Sequence, residues 1–266
     1  MSDLYTIAWQ CLMAAKPTEK VRLTREAAQC WRDGLLSVDP ATPVEAFQDP
    51  GRPDRPRLVE PKNVPHRSIA TPHGQAALIH AIAHIEFNAI NLAWDAVYRF
   101  REMPDGFRHD WIRVADEEAY HFTLLTGRLQ RLGYHYGDFD AHDGLWDVAR
   151  DTAHDVLERM ALVPRVLEAR GLDATPKIMR KLAEAGDPET VAILEIILHD
   201  EIGHVEIGSR WFRYACDQRG LDSQQTFRQL LQERLRGRIR GPLHLEARRQ
   251  AGFSEEELTE LQAMID

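Results

Sequence analysis

Four stretches of this chain repeat apolar residues at a helical period and set a single glutamate within or beside the apolar stripe. They are Ile79, Ile82, Ala83, Glu86, Ile90, Ala93; Val114, Ala115, Glu118, His121, Phe122, Leu125; Leu157, Met160, Ala161, Pro164, Glu168; and Leu194, Ile197, Leu198, Glu201, His204, Val205. In the third the glutamate follows a prolyl kink; the second and fourth add a histidine three residues on. An ionised carboxylate is too costly to bury in a dry helix bundle unless something pairs with it, and a metal ion is a partner that can satisfy four at once. The stripes predict long helices gathered around a metal site.

Residues three apart on a helix project from one face, so Glu118 with His121, and Glu201 with His204, can each reach one ion. Spacing alone is weak, because with twelve histidines roughly one such pair is expected by chance. Position is stronger. Both pairs fall in the middle of a long apolar stripe, and each follows a lone stripe glutamate at nearly the same distance: Glu86 lies 32 residues before Glu118, and Glu168 lies 33 before Glu201. The chain reads as two copies of one helical hairpin, Glu followed by Glu-x-x-His, facing each other across a pseudo-two-fold axis.

Composition fits an ordinary globular protein of 266 residues, 44% hydrophobic and 28% charged. No window approaches eighteen uncharged apolar residues, and the start, MSDLYTIAWQ, lacks the basic and apolar pattern of a secretory signal, so a cytoplasmic protein without a membrane span is expected. Cys11, Cys30 and Cys216 show no CxxC spacing and read as reduced core fillers. The net charge of −9 argues against a surface that grips nucleic acid throughout.

The fold class is all-α. Residues 1–39 read as an N-terminal helical appendage, with helices over 3–15 and 24–36 and Thr24 as an N-cap. Prolines recur too often from 40 to 72 for a regular element, and Val59, Val64 and Ile69 give this strap something to bury. Residues 73–217 hold four long helices: 73–102, 110–132, a third ending near Gly171, and 188–217, the signature of a bundle. The connection from Gly133 to Arg150 is the awkward one. It must run the bundle's length if the second and third helices are parallel, with a short helix near Leu145–Val148. Residues 218–266 form a helical tail that closes with a helix begun by a Ser254–Glu257 capping box.

Competing acids and bases read differently. Glu117, Glu158 and Glu206 belong to solvated faces; Glu158, the rival of Glu168, shares its stripe with Asp151, His154, Asp155 and Arg165. His80, His84, Asn88, Asn91 and Asp95 form a separate polar stripe of hydrogen-bonding groups rather than ligands. His154 and His199 are expected to be exposed. Arg234, Arg236, Arg238, Arg240, Arg248 and Arg249 form a basic run that reads as a solvated helix paired with acids such as Glu233 and Glu246, with phosphate or RNA as the alternative partner.

The strings AALIHAIAHIEFNAINLAWD, DEEAYHFTLL, ALVPRVLEARGLDATP and ILHDEIGHVEIGSRWF resemble the bacterial ferritin-like proteins of unknown function related to the tRNA methylthio-isopentenyladenosine hydroxylase. The resemblance covers nearly the whole chain. It implies a ferritin-like four-helix bundle and two iron ions held by Glu86, Glu118, His121, Glu168, Glu201 and His204, with Glu118 and Glu201 bridging, and Glu86 with His121 and Glu168 with His204 terminal.

Four carboxylates against the four positive charges of a diferrous pair leave the cluster near neutrality, and oxygen donors with imidazole suit iron or manganese, alone or mixed. Six ligands over two metals leave positions open for dioxygen. The first expectation is an oxygen-activating hydroxylase or oxygenase that takes dioxygen, electrons from a donor and a small organic substrate in an apolar pocket. The alternative is a ferroxidase or iron-storage protein without organic substrate, which the strap and tail would hinder from packing into a shell. A bundle that has lost its metals is the third. A tRNA substrate would require the basic run beside the metals and runs against the acidic net charge.

Overall fold

Capping residues and prolines decide where the long helices begin. In the computed structural model, which describes all residues except 1, 66, 236–238, 240 and 266 and the side chain of residue 235, the Thr71 hydroxyl accepts from the Gly74 amide at 3.1 Å and Pro72 takes the first helical position of α3. Asp187 does the same for α8, accepting from Thr190 N at 3.0 Å ahead of Pro188. Pro at the first turn loses nothing, since its absent N–H would have had no helical partner. The chain divides into two compact units, Met1–Asp147 and Val148–Asp266.

In the first unit a two-residue parallel pair, β1 (Ser2–Asp3) with β2 (Leu36–Ser37), brackets α1 (Leu4–Met13) and α2 (Pro17–Arg32). The main elements are α3 (Pro72–Arg99) and α4 (Asp105–Arg131), which pack on each other as an antiparallel hairpin through the short turn at Pro104. α1 packs on α3, and α2 on α4. By length and composition α3 could cross a membrane, but 72% of its apolar window is buried inside the protein.

The α2 reading needs correction at its start. Pro17 supplies the first helical position, and Thr24 is a fully buried mid-helix residue whose hydroxyl accepts from Trp94 Nε1 at 2.9 Å. Lys20 is buried beside it, donating to Cys11 O at 2.8 Å and Leu12 O at 2.7 Å. It satisfies the last carbonyls of α1, which no helical N–H can reach. Burial pushes this amine down to about 7.

The proline strap is ordered against the first unit. Gly51 N donates to Leu12 O, Val59 N to Ala141 O and Ala141 N to Arg57 O, while Arg52 Nη1 meets Asp143 Oδ2 at 2.7 Å. Val59, Val64 and Ile69 are half-buried, and Pro56 is buried. A single 3-10 turn, Pro61–Asn63, interrupts the strap. The short helix expected in the long connection is α5 (Gly144–Asp151).

In the second unit α6 (Val156–Leu162) runs into a π-helical stretch, Val163–Glu168, and then α7 (Ala169–Glu184). Here the expectation of a helix ending near Gly171 fails. The helix continues through Gly171 and Pro176, because glycine only weakens a helix and Leu172 and Leu182 bury its inner face. The stop is Gly186, at φ +78°. α8 (Pro188–Gln218) returns antiparallel and packs on α6, the π stretch and α7. α9 (Ser223–Leu235), α10 (Leu245–Gln250) and α11 (Glu255–Ala263) form the tail, and the Ser254–Glu257 capping box is present.

Candidate metal centre

On α3 and α4 the lone glutamate and the Glu-x-x-His pair meet. Glu86, Glu118 and His121 are buried, and one ligand atom from each lies within 4.8 Å of the others. His121 Nδ1 is 3.1 Å from Glu86 Oε2 and 3.5 Å from Glu118 Oε2. All three lie on apolar stripes, so packing of Ile79, Ala83 and Ile90 against Val114, Ala115 and Leu125 carries them inward.

The electrostatics suit a cation. Burial first, then the neighbouring Glu118 charge, holds the Glu86 carboxyl well above the usual carboxylate range, against the pull of His121. Burial would lower the His121 imidazole, but hydrogen bonds and charge from Glu118 and Glu86 outweigh it and push it up to about 11. The protonated ring takes the place of a cation between two acids. A metal ion would displace that proton and be met by a neutral nitrogen and two carboxylates.

The second unit repeats the local geometry. On α8, Glu201 and His204 are buried, and His204 Nδ1 faces Glu201 Oε1 at 3.8 Å. In both pairs it is Nδ1 that turns back to the glutamate three residues earlier. Glu168, at the end of the π stretch, is half-buried rather than buried. Its register on α8 is fixed one turn away, where a Cβ on Gly208 would lie 2.3 Å from Pro164 Cγ. Since the helices are antiparallel, one turn onward from Pro164 and one turn back from Gly208 bring Glu168 level with His204.

Glu158 is held by surface cations, 2.6 Å from Arg234 Nη2 and 3.7 Å from His154 Nε2. Glu117 and Glu206 are half-buried, His154 and His199 exposed. The polar stripe of α3 is a hydrogen-bonded row: His80 Nε2 accepts from Gly137 N at 2.9 Å, His84 Nδ1 meets Tyr136 Oη at 2.8 Å, and Asp95 receives Arg99 at 2.8 Å. Burial pushes His80 and His84 down to about 4, so both are neutral at pH 7. Tyr136 sits in an irregular loop, and no periodicity in the sequence signals it.

The basic run is not one solvated helix. α9 ends at Leu235 and α10 begins at Leu245; Arg236, Arg238 and Arg240 lie outside the described residues. Arg248 is buried and bound to Asp173 at 2.6 Å, and Arg249 pairs with Glu255 at 2.6 Å and Glu246 at 3.6 Å.

Residues 13–259 match the family described as "Protein of unknown function (DUF455)". A protein of Haemophilus influenzae strain Rd, described as "Uncharacterized protein", is 48% identical over 276 residues, spanning 97% of this chain and 94% of that one. No solved structure matches the chain. With a match over nearly its whole length and a relative this similar, the chain belongs to the DUF455 family.

Proposed function

We propose that this protein is a di-iron carboxylate enzyme, an oxygen-activating hydroxylase or oxygenase built on a ferritin-like four-helix bundle and related to the tRNA methylthio-isopentenyladenosine hydroxylase. The observation that carries this reading is the buried Glu86, Glu118 and His121 cluster, with the same Glu-x-x-His geometry repeated at Glu201 and His204. Two carboxylates and an imidazole within reach of one another are a donor set that iron or manganese accepts. In this reading Glu118 and Glu201 bridge the two ions, and Glu86 with His121 and Glu168 with His204 complete them.

When bound, the metal pair supplies the redox chemistry with dioxygen; the chain supplies geometry and dryness. Glu86 and Glu118 provide negative charge, and His121 surrenders its Nδ1 proton on binding. The Phe87 and Phe122 rings, 5.5 Å apart beside these residues, keep water from the carboxylates. Dioxygen, an electron donor and a small organic substrate are the partners this chemistry requires.

The test is metal analysis of protein purified without chelators, followed by oxygen uptake after reduction. Two ions per chain and substrate-dependent oxygen consumption are expected. A large shell that accumulates many irons per chain would favour storage instead, and protein that binds no metal would end the proposal.

A further inference from the structure

The strap of the first unit covers a pocket that the candidate metal ligands do not line. Arg52, Pro56, Leu58, His84, Phe87 and Tyr136 face it, and it holds about 220 Å³ counted with its mouth. That is below the roughly 300–1,000 Å³ of sites that enclose a whole drug-sized molecule. It suits one end group of a ligand.

Arg52 is the cation among these residues. Its Nη1 donates to Asp143 Oδ2 at 2.7 Å, and its guanidinium lies 6.0 Å from the Trp146 ring centre. Nε and Nη2, which share the other edge, are buried and meet no acceptor among the described residues. Their N–H groups point in parallel, the geometry that two oxygens of a carboxylate or phosphate match. Buried donors on a charged group are costly to leave unmet, and among the described residues nothing on the strap or on α3 meets them. His84 is turned by Tyr136 Oη and stays neutral, so it adds no competing positive charge. Arg55 and Arg67 on the same strap add positive charge to this face of an acidic chain, which favours approach of anions.

We infer that this pocket binds the oxyanion group of a small organic ligand, a carboxylate or phosphate gripped by Nε–H and Nη2–H of Arg52 with its apolar neighbour atoms against Pro56, Leu58 and Phe87. The inference does not depend on the metals. Its site shares no side chain with Glu86, Glu118 or His121.

Calorimetric titration of the full chain with inorganic phosphate and, separately, with propionate, both at fixed ionic strength, tests it. One saturable site per chain is expected for at least one probe, and the tighter one identifies the head group. Arg52→Lys keeps the charge but loses the fork, and should weaken binding by about tenfold or more. Arg249→Gln, on the tail, should bind like the parent. Leu58→Trp fills the pocket from an exposed strap position and should abolish binding with an unchanged circular dichroism spectrum, so the test survives even if Arg52→Lys does not fold. Neither probe saturating, or Leu58→Trp binding like the parent, overturns the inference. Metal content measured on the same samples keeps this outcome separate from that of the di-iron reading.

Discussion

Gly208 on α8 touches Pro164 of the π-helical stretch so closely that a Cβ there would lie 2.3 Å from the prolyl Cγ. The π stretch can therefore approach α8 only at a residue without a side chain. Gly208→Ala should force the segments apart and cost about 1–3 kcal/mol, as overpacking does. Because Glu168 lies one turn beyond Pro164, the same variant should also lower metal content. Thermal unfolding and metal analysis on one preparation measure both, and an alanine variant with parental stability would show that the contact yields.

Glu118→Ala and Glu201→Ala should each abolish binding of two metals, by removing a carboxylate from the cluster. Glu158→Gln should leave metal content unchanged, since Glu158 is occupied by Arg234 and His154. Elemental analysis decides between them. A loss at Glu158 would mean that the third stripe was assigned to the wrong glutamate.

Arg165 is buried and held by Glu257 at 2.7 Å and Ser209 Oγ at 3.2 Å, with Phe227, Phe253 and Phe212 around its guanidinium at 4.0–4.9 Å. Glu257→Gln would leave that cation buried without its counter-charge and should cost about 3–5 kcal/mol. The double variant Arg165→Met, Glu257→Gln should cost less than the single one. Denaturant unfolding of both proteins checks the order, and the reverse order would refute a buried ion-pair role.

Stability should fall on mild acidification. His80 and His84 have folded values near 4 against an ordinary 6.5, so the unfolded chain binds more protons between these limits, and stability present above pH 6.5 is lost as pH drops toward 4. The loss is on the order of 2–3 kcal/mol for each. Lys20, near 7 against 10.5, acts the same way in a higher window, with stability rising from pH 7 toward 10.5. Melting temperatures of the metal-free protein across pH, compared with His80→Gln and Lys20→Met, should show the first slope reduced in one variant and the second in the other.

Helices with regular apolar spacing and good caps were readable from sequence: α3 through Thr71 and Pro72, α8 through Asp187 and Pro188, α11 through Ser254 and Glu257. The inward placement of Glu86, Glu118, His121, Glu201 and His204 follows from stripes that leave them nowhere else to point. The start of α2 was missed because Lys16 offers no capping side chain and Lys20 looks like a surface residue until the carbonyls of α1 are placed beside it. The length of α7 was missed because Gly171 and Pro176 look like stops, while its packed face keeps the helix going. The pocket at Arg52 was not readable, since an irregular proline strap has no period from which burial could be inferred.

The Arg165–Glu257 contact makes the far C-terminus answerable for a segment nearly a hundred positions upstream. A premature stop codon just before Ser254 would delete little more than a dozen amino acids, yet it would strand a guanidinium in an aromatic cage and loosen the turn that leads into Glu168. Truncation there should read out as damage in the middle of the gene.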